Sequence, residues 1–391
     1  MAAASAKNTG TDWSNYWAMV PRYERWIESL GVPIHRDYYV QDIRTVEVGP
    51  WEERECNAAV IVLEGNKDFM ETRVTEIPPG ASLRPTKCSF DDIIYCASGM
   101  GITTIWAGDG AKKHTFEWGP RSVFFVPRNY TYQIANVQGH QPARLFHYNY
   151  LPMAMSITPN PDFFWDNPGL EPDVDIFADD SVYSQAKLTE GAGRSRARWV
   201  AAFFPDLMAW DKTAPSEGFA PGAGTLAYCF PNVTSLRMGG HVFESGTYKR
   251  AHYHGEGAVI VIPGGEGMSC MWPVAAPGAD DMVTVHWQEG TVFGPPNLWY
   301  HLHANVGPGP ARYITLHPAR HIEPSYRGSS LSHAEEPPII RQTFEAELAK
   351  RGLKSKMLPE MYEDPNFIWY SEEEERVAQN SPAARSDGVW I

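Results

Sequence analysis

The sequence contains one β-rich unit twice, and this repeat constrains the fold more than any other feature. Residues 80–106 align without a gap with residues 246–272, and residues 118–137 align in the same way with residues 287–306. Identical residues in the two alignments include Gly80/Gly246, Arg84/Arg250, Gly99/Gly265, Gly101/Gly267, Trp106/Trp272, Trp118/Trp287, Phe124/Phe293, Pro127/Pro296 and Asn136/Asn305. A chain that carries the same pattern twice is expected to fold into two copies of one structural unit.

The repeated unit has the pattern of short strands joined by tight turns. Apolar runs such as residues 59–63 and 93–96 alternate with Pro-Pro-Gly and Ser-Gly turns, and the chain has 32 prolines and 33 glycines. Apolar runs of this length, bounded by turn residues, are typical of β-sandwiches and β-barrels. We therefore predict an all-β protein with two β-barrels and with helical extensions at both ends.

The repeat also predicts the domain boundaries. At 391 residues the chain exceeds the length at which a single hydrophobic core stops growing. We expect an N-terminal helical extension (residues 1–44), a first barrel (45–152), a connection rich in Pro and Asp (153–199), a second barrel (200–320) and a C-terminal helix and tail (321–391).

Composition argues against several classes of partner. The formal net charge of −14 is unfavourable for binding nucleic acid or an anionic membrane surface. The sequence has no long apolar run and no signal peptide at its start, and its five cysteines contain no CxxC pair, which suits free thiols in a reducing compartment. We expect a cytoplasmic homo-oligomer that acts on a small molecule.

Two pairs of histidines in the second repeat form the strongest chemical signal. His252 and His254 are two residues apart in a predicted strand, so their imidazoles point to the same face of the sheet. His301 and His303 have the same spacing on a later strand, which a β-meander can bring alongside the first. Imidazole is a common ligand of Fe, Ni, Cu and Zn. We predict a metal site formed by His252, His254 and His301.

The spacing of these residues resembles the double motif of the cupin superfamily. The matching positions in the second repeat are Gly246, His252, His254, Gly290, Pro296, His301 and Asn305, and Leu298 stands where the second motif has a glycine. The resemblance covers both repeats but not the connection or the ends of the chain. It implies a bicupin, in which two jelly-roll β-barrels are joined in one chain.

The second repeat differs from the usual cupin pattern in its fourth ligand. The carboxylate of the first motif falls at Ala258, and Glu256 lies two residues too early to replace it, so the sequence assigns Glu256 no role. A cupin with three histidines and no carboxylate resembles the gentisate and salicylate 1,2-dioxygenases and the thiol dioxygenases. In gentisate dioxygenases the working site is usually in the first repeat, whereas here it falls in the second.

The first repeat lacks the ligands of a metal site. Its three histidine positions are occupied by Thr86, Cys88 and Tyr132, and Asp92 stands at the carboxylate position. Without neutral imidazoles this set is a poor site for a divalent transition ion. We predict that the first barrel serves as a scaffold, with a small metal-free binding pocket as the alternative.

The resemblance and the ligand set together predict a mononuclear non-haem metalloenzyme. Our first hypothesis is an Fe(II) dioxygenase that uses O2 to cleave a small aromatic or carboxylate-bearing substrate. The second is a redox-neutral Mn, Zn or Ni decarboxylase, lyase or isomerase that uses the metal as a Lewis acid. The third is a metal-bearing binding protein without turnover. Fe(II) is the expected metal, with Mn, Ni, Zn and Cu as alternatives.

Strand parity predicts the residues around the metal. Arg250 is two residues before His252 and would face the cavity, where it could bind a substrate carboxylate, or it could form an ion pair at the rim. His303 would also face inward, as a proton shuttle or bonded to a backbone carbonyl. The candidates for an apolar wall around the substrate, or for plain core, are Trp299, Met268 and Ile260.

Overall fold

The structure is a computed structural model that describes residues 20–189, 197–210, 212–215, 220–233, 235–275, 281–319 and 329–367. In the first half the strands β1 to β12 are Ile34–Asp37, Tyr39–Val40, Gly49–Trp51, Cys56–Leu63, Glu71–Ile77, Thr86–Lys87, Asp92–Ser98, Gly101–Trp106, His114–Trp118, Val123–Val126, Thr131–Asn136 and Ala143–Asn149. The later strands β13 to β26 are Lys187–Thr189, Arg198–Val200, Phe203–Phe204, Ala214–Pro215, Gly224–Cys229, Leu236–Phe243, Tyr248–Tyr253, Val259–Gly264, Gly267–Pro273, Val283–Trp287, Val292–Phe293, Trp299–Asn305, Ala311–Pro318 and Ser329–Ser330.

Helices are few among the described residues. The α-helices α1 to α3 are Arg22–Ser29, Leu151–Ile157 and Pro338–Lys350, and short 3-10 helices cover Glu52–Arg54, Pro161–Phe163, Ile176–Ala178 and Pro359–Tyr362. Within this part of the chain no helix has both the length and the apolar character needed to cross a membrane. The predominance of strand confirms the predicted β-rich class.

The two halves have the same strand order. In the first half β5-β12-β7-β10 form the central part of one sheet and β6-β11-β8-β9 form the other. In the second half the corresponding sets are β18-β25-β20-β23 and β19-β24-β21-β22. Strands taken in chain order and arranged as 1-8-3-6 and 2-7-4-5 make the two facing sheets of a jelly roll. The repeat in the sequence therefore corresponds to two jelly-roll units. The closure of each unit into a barrel stays a prediction.

Residues that are identical in the two repeats make equivalent contacts. Trp118 Nε1 donates to Thr103 Oγ1 over 3.0 Å, and Trp287 Nε1 donates to Ser269 Oγ over 3.1 Å. The glycine that opens β8 or β21 packs directly on the indole, because an added Cβ would lie 2.2 or 2.0 Å from ring atoms. The glycine and the tryptophan are therefore required together, which explains why both recur.

The halves exchange short strands with each other. β2, which follows β1 near the start of the chain, pairs with β23 of the second half. β15, which precedes the second jelly roll, pairs with β10 of the first half. Tyr148 OH also donates to Gly257 O across the boundary over 2.7 Å. Strands thus cross the boundaries predicted at residues 44 and 200, and the division into domains stays a prediction.

The C-terminal helix α3 covers one face of the second half. Its buried side chains Ile340, Phe344 and Leu348 pack with Tyr248 and Met268 of the sheet that carries the histidines. The helix ends before Gly352, which has a positive φ of 69° and lets Leu353 N bond back to Leu348 O over 2.9 Å. α3 lies within the segment for which a C-terminal helix and tail are predicted.

Candidate metal centre

A cluster of buried imidazoles lies between the sheets of the second half. His252 is on β19, His254 directly follows that strand, and His301 and His303 are on the neighbouring strand β24. All four are buried. The ring centroids of His252 and His301 are 4.4 Å apart, and His254 lies 4.8 Å from His301. The structure therefore brings together the histidines that the sequence singled out.

Two sets of three histidines are candidates for the metal ligands, and they differ in whether His254 or His303 is the third member. The nitrogen atoms of His252, His301 and His303 lie within 4.8 Å of one another, and among the described residues this is the group of metal-ligating side chains that meets that limit. By ring centroids, however, His254 is 5.9 and 4.8 Å from His252 and His301, whereas His303 is 6.1 and 5.6 Å from them. The distances between nitrogen atoms thus favour His303 as the third ligand, whereas the distances between ring centroids favour His254.

Hydrogen bonds at Nδ1 distinguish the four imidazoles. His252 Nδ1 is 3.3 Å from Arg250 O, His254 Nδ1 is 2.9 Å from Gly255 O, and His301 Nδ1 is 3.1 Å from Trp299 O. A backbone carbonyl only accepts, so in each case Nδ1 carries the proton and Nε2 keeps its lone pair. This arrangement is the usual one around metal-bound histidines.

His303 is held differently. Its Nδ1 is 2.8 Å from the Ser269 hydroxyl, which also accepts from Trp287 Nε1, and its ring lies 4.5 Å from that of Tyr313. A hydroxyl can donate or accept, so the tautomer of His303 is not fixed by this contact. His303 faces the histidine cluster, as strand parity predicts, and it also packs among the aromatic residues of the core.

His301 provides the test of whether a metal fits. It is 1% exposed, and its Nε2 has no hydrogen-bond partner among the described residues, although Nδ1 is bonded. A buried polar atom without a partner costs free energy unless something else satisfies it. An imidazole lone pair that lies near the nitrogens of other imidazoles has the chemistry of a metal ligand. The residues present therefore fit a divalent transition ion.

Burial keeps the imidazoles neutral. Desolvation lowers the pKa of His254 to about 4, and it lowers the pKa values of His252 and His301 well below the ordinary range. The positive charge of Lys249 is the second cause at His252. Neutral imidazole is the form that binds metal. The site is thus ready to bind a metal ion at neutral pH without first losing protons.

An irregularity in β19 places Lys249, and not Arg250, beside the histidines. Lys249 pairs with His303 across the two strands, and His252 pairs with His301. Between these two pairs, β19 has one more residue than β24. Such a bulge shifts side chains between the faces of a strand. Lys249 Nζ consequently lies 3.5 Å from His252 Nε2.

Arg250 lies on the other side of the strand. Its charge lowers the pKa of His333 and of Glu336, although desolvation is the dominant influence on both groups and raises the pKa of Glu336 to about 8. Glu336 is buried and accepts from Ala251 N over 2.6 Å and from Tyr248 OH over 2.8 Å. The parity argument that pointed Arg250 into the cavity fails because it ignored the bulge. Its catalytic role stays an untested prediction.

The residues predicted for an apolar wall fall into two groups. Met268 pairs with Ala304 on the face that packs under α3, which is opposite to the face of Ser269 and His303. Ile260 belongs to the core between the sheets, and Trp299 packs against that core with its ring 5.5 Å from that of Tyr38. Ile260 and Trp299 therefore lie on the side of the histidines, whereas Met268 lies behind them.

Three further residues reach the cluster without a signal in the sequence. His317 is on β25, and its ring lies 5.5 Å from that of His254, while its buried Nδ1 has no partner among the residues that the structure describes. Met271 pairs with His301 and is fully buried. Lys249 is the third. The strand order brings His317 and Met271 to the site, and the bulge brings Lys249. Of the three, His317 could have been considered from the sequence, because it is a histidine near the end of a core strand.

The equivalent region of the first half is filled by ion pairs. Cys88 Sγ lies 3.6 Å from Tyr132 OH, and burial raises the pKa of the Cys88 thiol to about 12. Asp92 Oδ2 bonds His147 Nδ1 over 2.8 Å and Arg73 Nη2 over 3.3 Å. A protonated thiol and a carboxylate already paired with arginine are poor metal ligands. This region contributes no cluster of metal ligands among the described residues, and the scaffold role of the first half stays a prediction.

Comparison with known proteins adds little to these observations. No protein-family model matches the chain, and no curated protein matches it. Among solved structures it is similar to oxalate decarboxylase from Bacillus subtilis, with 12% identity over 86% of each chain and a TM-score of 0.47. A formate complex of oxalate decarboxylase from Lactobacillus farciminis shares 12% identity over 78% of this chain and 92% of that one, also with a TM-score of 0.47. Likeness at this level carries no argument about this chain.

Proposed function

We propose that the protein is a metal-dependent enzyme whose divalent ion is held by His252, His254 and His301. The observation that supports this most is the shared arrangement of the three rings. Each has Nδ1 bonded to a backbone carbonyl, and the Nε2 of His301 is buried without a partner in the part of the chain that the structure describes. Three neutral ligands leave coordination positions open and the 2+ charge uncompensated, which favours an anionic substrate.

The substrate class is a small organic carboxylate. The bound metal supplies positive charge that attracts substrate oxygens and stabilises electron density released by bond cleavage. Lys249 supplies a second positive charge, 3.5 Å from His252 Nε2. An ammonium group at this distance can bind the carboxylate and can also donate a proton.

The reaction class that the site supports best is redox-neutral cleavage, such as decarboxylation. In that reaction the bond to the carboxylate carbon breaks, CO2 leaves, and the electron pair stays on the remaining carbon. Lys249 Nζ–H can deliver the proton that replaces the carboxylate, and solvent returns a proton to Lys249. Mn, Zn or Ni would serve equally, because no change in the oxidation state of the metal is required.

The Fe(II) dioxygenase is the second candidate. The group of metal-ligating side chains found among the described residues contains no carboxylate, and this observation favours the dioxygenase. A site with three neutral ligands has room for a chelating substrate and O2 together. Both candidates use the same ligands and the same substrate charge, so oxygen dependence separates them.

The test is a screen of small carboxylates, hydroxybenzoates, β-diketones and thiols in air and under argon. Protein loaded separately with Mn, Fe, Zn or Ni is incubated with each compound, and products and O2 uptake are measured together. We expect a carboxylate to be converted under argon at the same rate as in air. The His301→Ala variant is the control and should be inactive. Conversion that occurs only with O2 uptake would establish the dioxygenase, and bound ligand without turnover would establish a binding protein.

A further inference from the structure

The segment that precedes α3 lies along the outer edge of β19, the strand that carries His252. We call this segment, residues 329–336, the C-terminal strap. Its short strand β26 pairs with β19, and Leu331 N donates to Ala251 O over 2.9 Å. The last residue of the strap, Glu336, is buried. The strap therefore contacts a strand of the histidine cluster from the side opposite to β24.

The strap bonds to the residue that the bulge removes from the pairing with β24. Arg250 and Ala251 together lie opposite Leu302, because the pairing of the two strands resumes at His252. Ala251 N donates to Glu336 Oε1 over 2.6 Å, and Ala251 O accepts from the strap backbone. Buried backbone groups need hydrogen-bond partners. The C-terminal strap supplies both partners for Ala251.

A single carboxyl group contacts the strand on both sides of the bulge. Glu336 Oε1 accepts from Ala251 N, and Glu336 Oε2 accepts from Tyr248 OH over 2.8 Å. Lys249 and Arg250 are the residues between these two contacts. Hydrogen bonds inside a protein are stronger than those exposed to water, and the carboxyl group is buried. The conformation of the backbone at Lys249 and Arg250 is thus constrained from both ends.

Two arrangements of β19 would present different cations to the histidines. Regular alternation counted back from His252 places Arg250 on the side of the cluster. Alternation counted forward from Tyr248, which packs under α3, places Lys249 there instead. The bulge selects the second arrangement, in which Lys249 Nζ lies 3.5 Å from His252 Nε2. The contacts that fix the bulge therefore decide which cation lies beside the cluster.

We propose that Glu336 is a positioning residue, which fixes the bulge of β19 and so keeps Lys249 beside the histidines. Its two oxygens act through Ala251 N and Tyr248 OH. The inference rests on the proposed function, because the role of Lys249 depends on the metal site of the second half.

A double-mutant cycle on metal affinity tests this role. The charge of Lys249 repels a divalent ion, so Lys249→Met should tighten Zn²⁺ binding about tenfold. Glu336→Leu removes both hydrogen bonds and should move Lys249 away, so it should tighten Zn²⁺ binding by a similar factor. Adding Lys249→Met to Glu336→Leu should then change the affinity by less than about twofold. Competition with a chromophoric chelator measures each affinity.

Two matched variants separate positioning from packing. Glu336→Gln keeps an oxygen for Ala251 N and a polar group for Tyr248 OH, so the full effect of Lys249→Met should return. Leu348→Ala loosens the core under α3 and removes neither hydrogen bond. It should lower the melting temperature and leave the effect of Lys249→Met intact. A general loosening of the site would weaken Zn²⁺ binding, which is opposite in sign to the change expected for Glu336→Leu.

Crystal structures of the metal-free variants give a readout that needs no metal. In Glu336→Leu the contact of 3.5 Å between Lys249 Nζ and His252 Nε2 should be lost, whereas Glu336→Gln should keep it. If Glu336→Leu does not fold, Tyr248→Phe takes its place, because it removes one of the two hydrogen bonds and keeps the aromatic packing. In that variant the contact should lengthen, and Lys249→Met should have a smaller effect than in wild type.

Two results would overturn the assignment. One is a full effect of Lys249→Met in the Glu336→Leu variant, or in Tyr248→Phe if that is the variant that folds. The other is an unchanged contact between Lys249 and His252 in the crystal structure of the same variant. Failure of the wild type to bind Zn²⁺ would instead refute the proposed metal site, and the metal-free crystal structures would still decide whether Glu336 fixes the bulge.

Discussion

Replacing Lys249 with Met should change substrate binding and metal binding in opposite directions. Met keeps most of the apolar stem and removes the ammonium, which lies 3.5 Å from His252 Nε2. A charge-assisted hydrogen bond to a carboxylate contributes about 1.5–3 kcal/mol, so KM should rise about tenfold to a hundredfold. The metal should bind more tightly, because a positive charge beside a cation has been removed.

The two effects are measured separately. Steady-state kinetics with the carboxylate identified in the screen gives KM, and competition with a chromophoric chelator gives the metal affinity. Lys112→Met is the matched control, because Lys112 lies on the surface of the first half and pairs with Asp180. A folded Lys249→Met variant with unchanged KM and unchanged metal affinity would refute the placement of Lys249 in the site.

Three further predictions concern stability. Glu336 has an ordinary pKa of 4.5 and a folded pKa raised by burial to about 8, so the folded chain holds a proton that the unfolded chain loses between these values. Its contribution to the free energy of unfolding is full below pH 4.5 and falls by about 1.4 kcal/mol per pH unit as the pH rises to about 8. Urea titrations at several pH values measure this dependence, and the Glu336→Gln variant should lack it. Ser269→Ala removes the hydrogen-bond partner of both Trp287 Nε1 and His303 Nδ1, so the free energy of unfolding should fall by about 1–3 kcal/mol for each group left without a partner. Thr103→Val in the first half removes the partner of one indole and should cost less. Equal losses in the two variants would contradict the shared hydrogen bond at Ser269. Leu298 has a φ of +58°, so Leu298→Gly should raise the melting temperature, corresponding to a gain of up to about 1 kcal/mol, whereas Leu188→Gly in strand β13 should lower it.

The repeat allowed the architecture to be predicted because its identical residues are those that both units need structurally. Gly101 and Trp118 recur as Gly267 and Trp287, and each glycine is the place where the indole touches the backbone. Even the departure at Leu298 is consistent with the pattern, since this residue keeps the positive φ that a glycine would adopt most easily. The repeat therefore predicted two copies of one β-rich unit, and the resemblance to cupins implied that each is a jelly roll.

The exchange of strands between the halves could not be predicted in the same way. β2 and β15 are two residues long each, and they pair with β23 and β10 of the opposite half. A strand of two residues is too short to show a periodic pattern of side chains. Its pairing depends on which strand lies beside it in the folded protein. The predicted boundaries follow the repeat and take no account of these crossings.

The positions of the clustered histidines followed from parity, but those of their neighbours did not. His252 and His301 pair directly across the strands, as the motif spacing predicts. Between Lys249 and His252 a bulge inserts a residue, which moves Lys249 to the cavity face and Arg250 away from it. A bulge has no reliable signature in a single sequence. The same limit applies to His317, which reaches His254 only through the strand order.

Metal analysis of matched histidine variants tests the central claim most directly. Wild type should contain one equivalent of a divalent transition metal per chain after anaerobic purification. His254→Ala should lose it, because His254 has the same Nδ1–carbonyl bond as the other two ligands, whereas His303→Ala should retain it. Cys88→Ser in the first half should also retain it. Two equivalents in wild type, or full occupancy in His254→Ala together with loss in His303→Ala, would contradict the proposed ligand set.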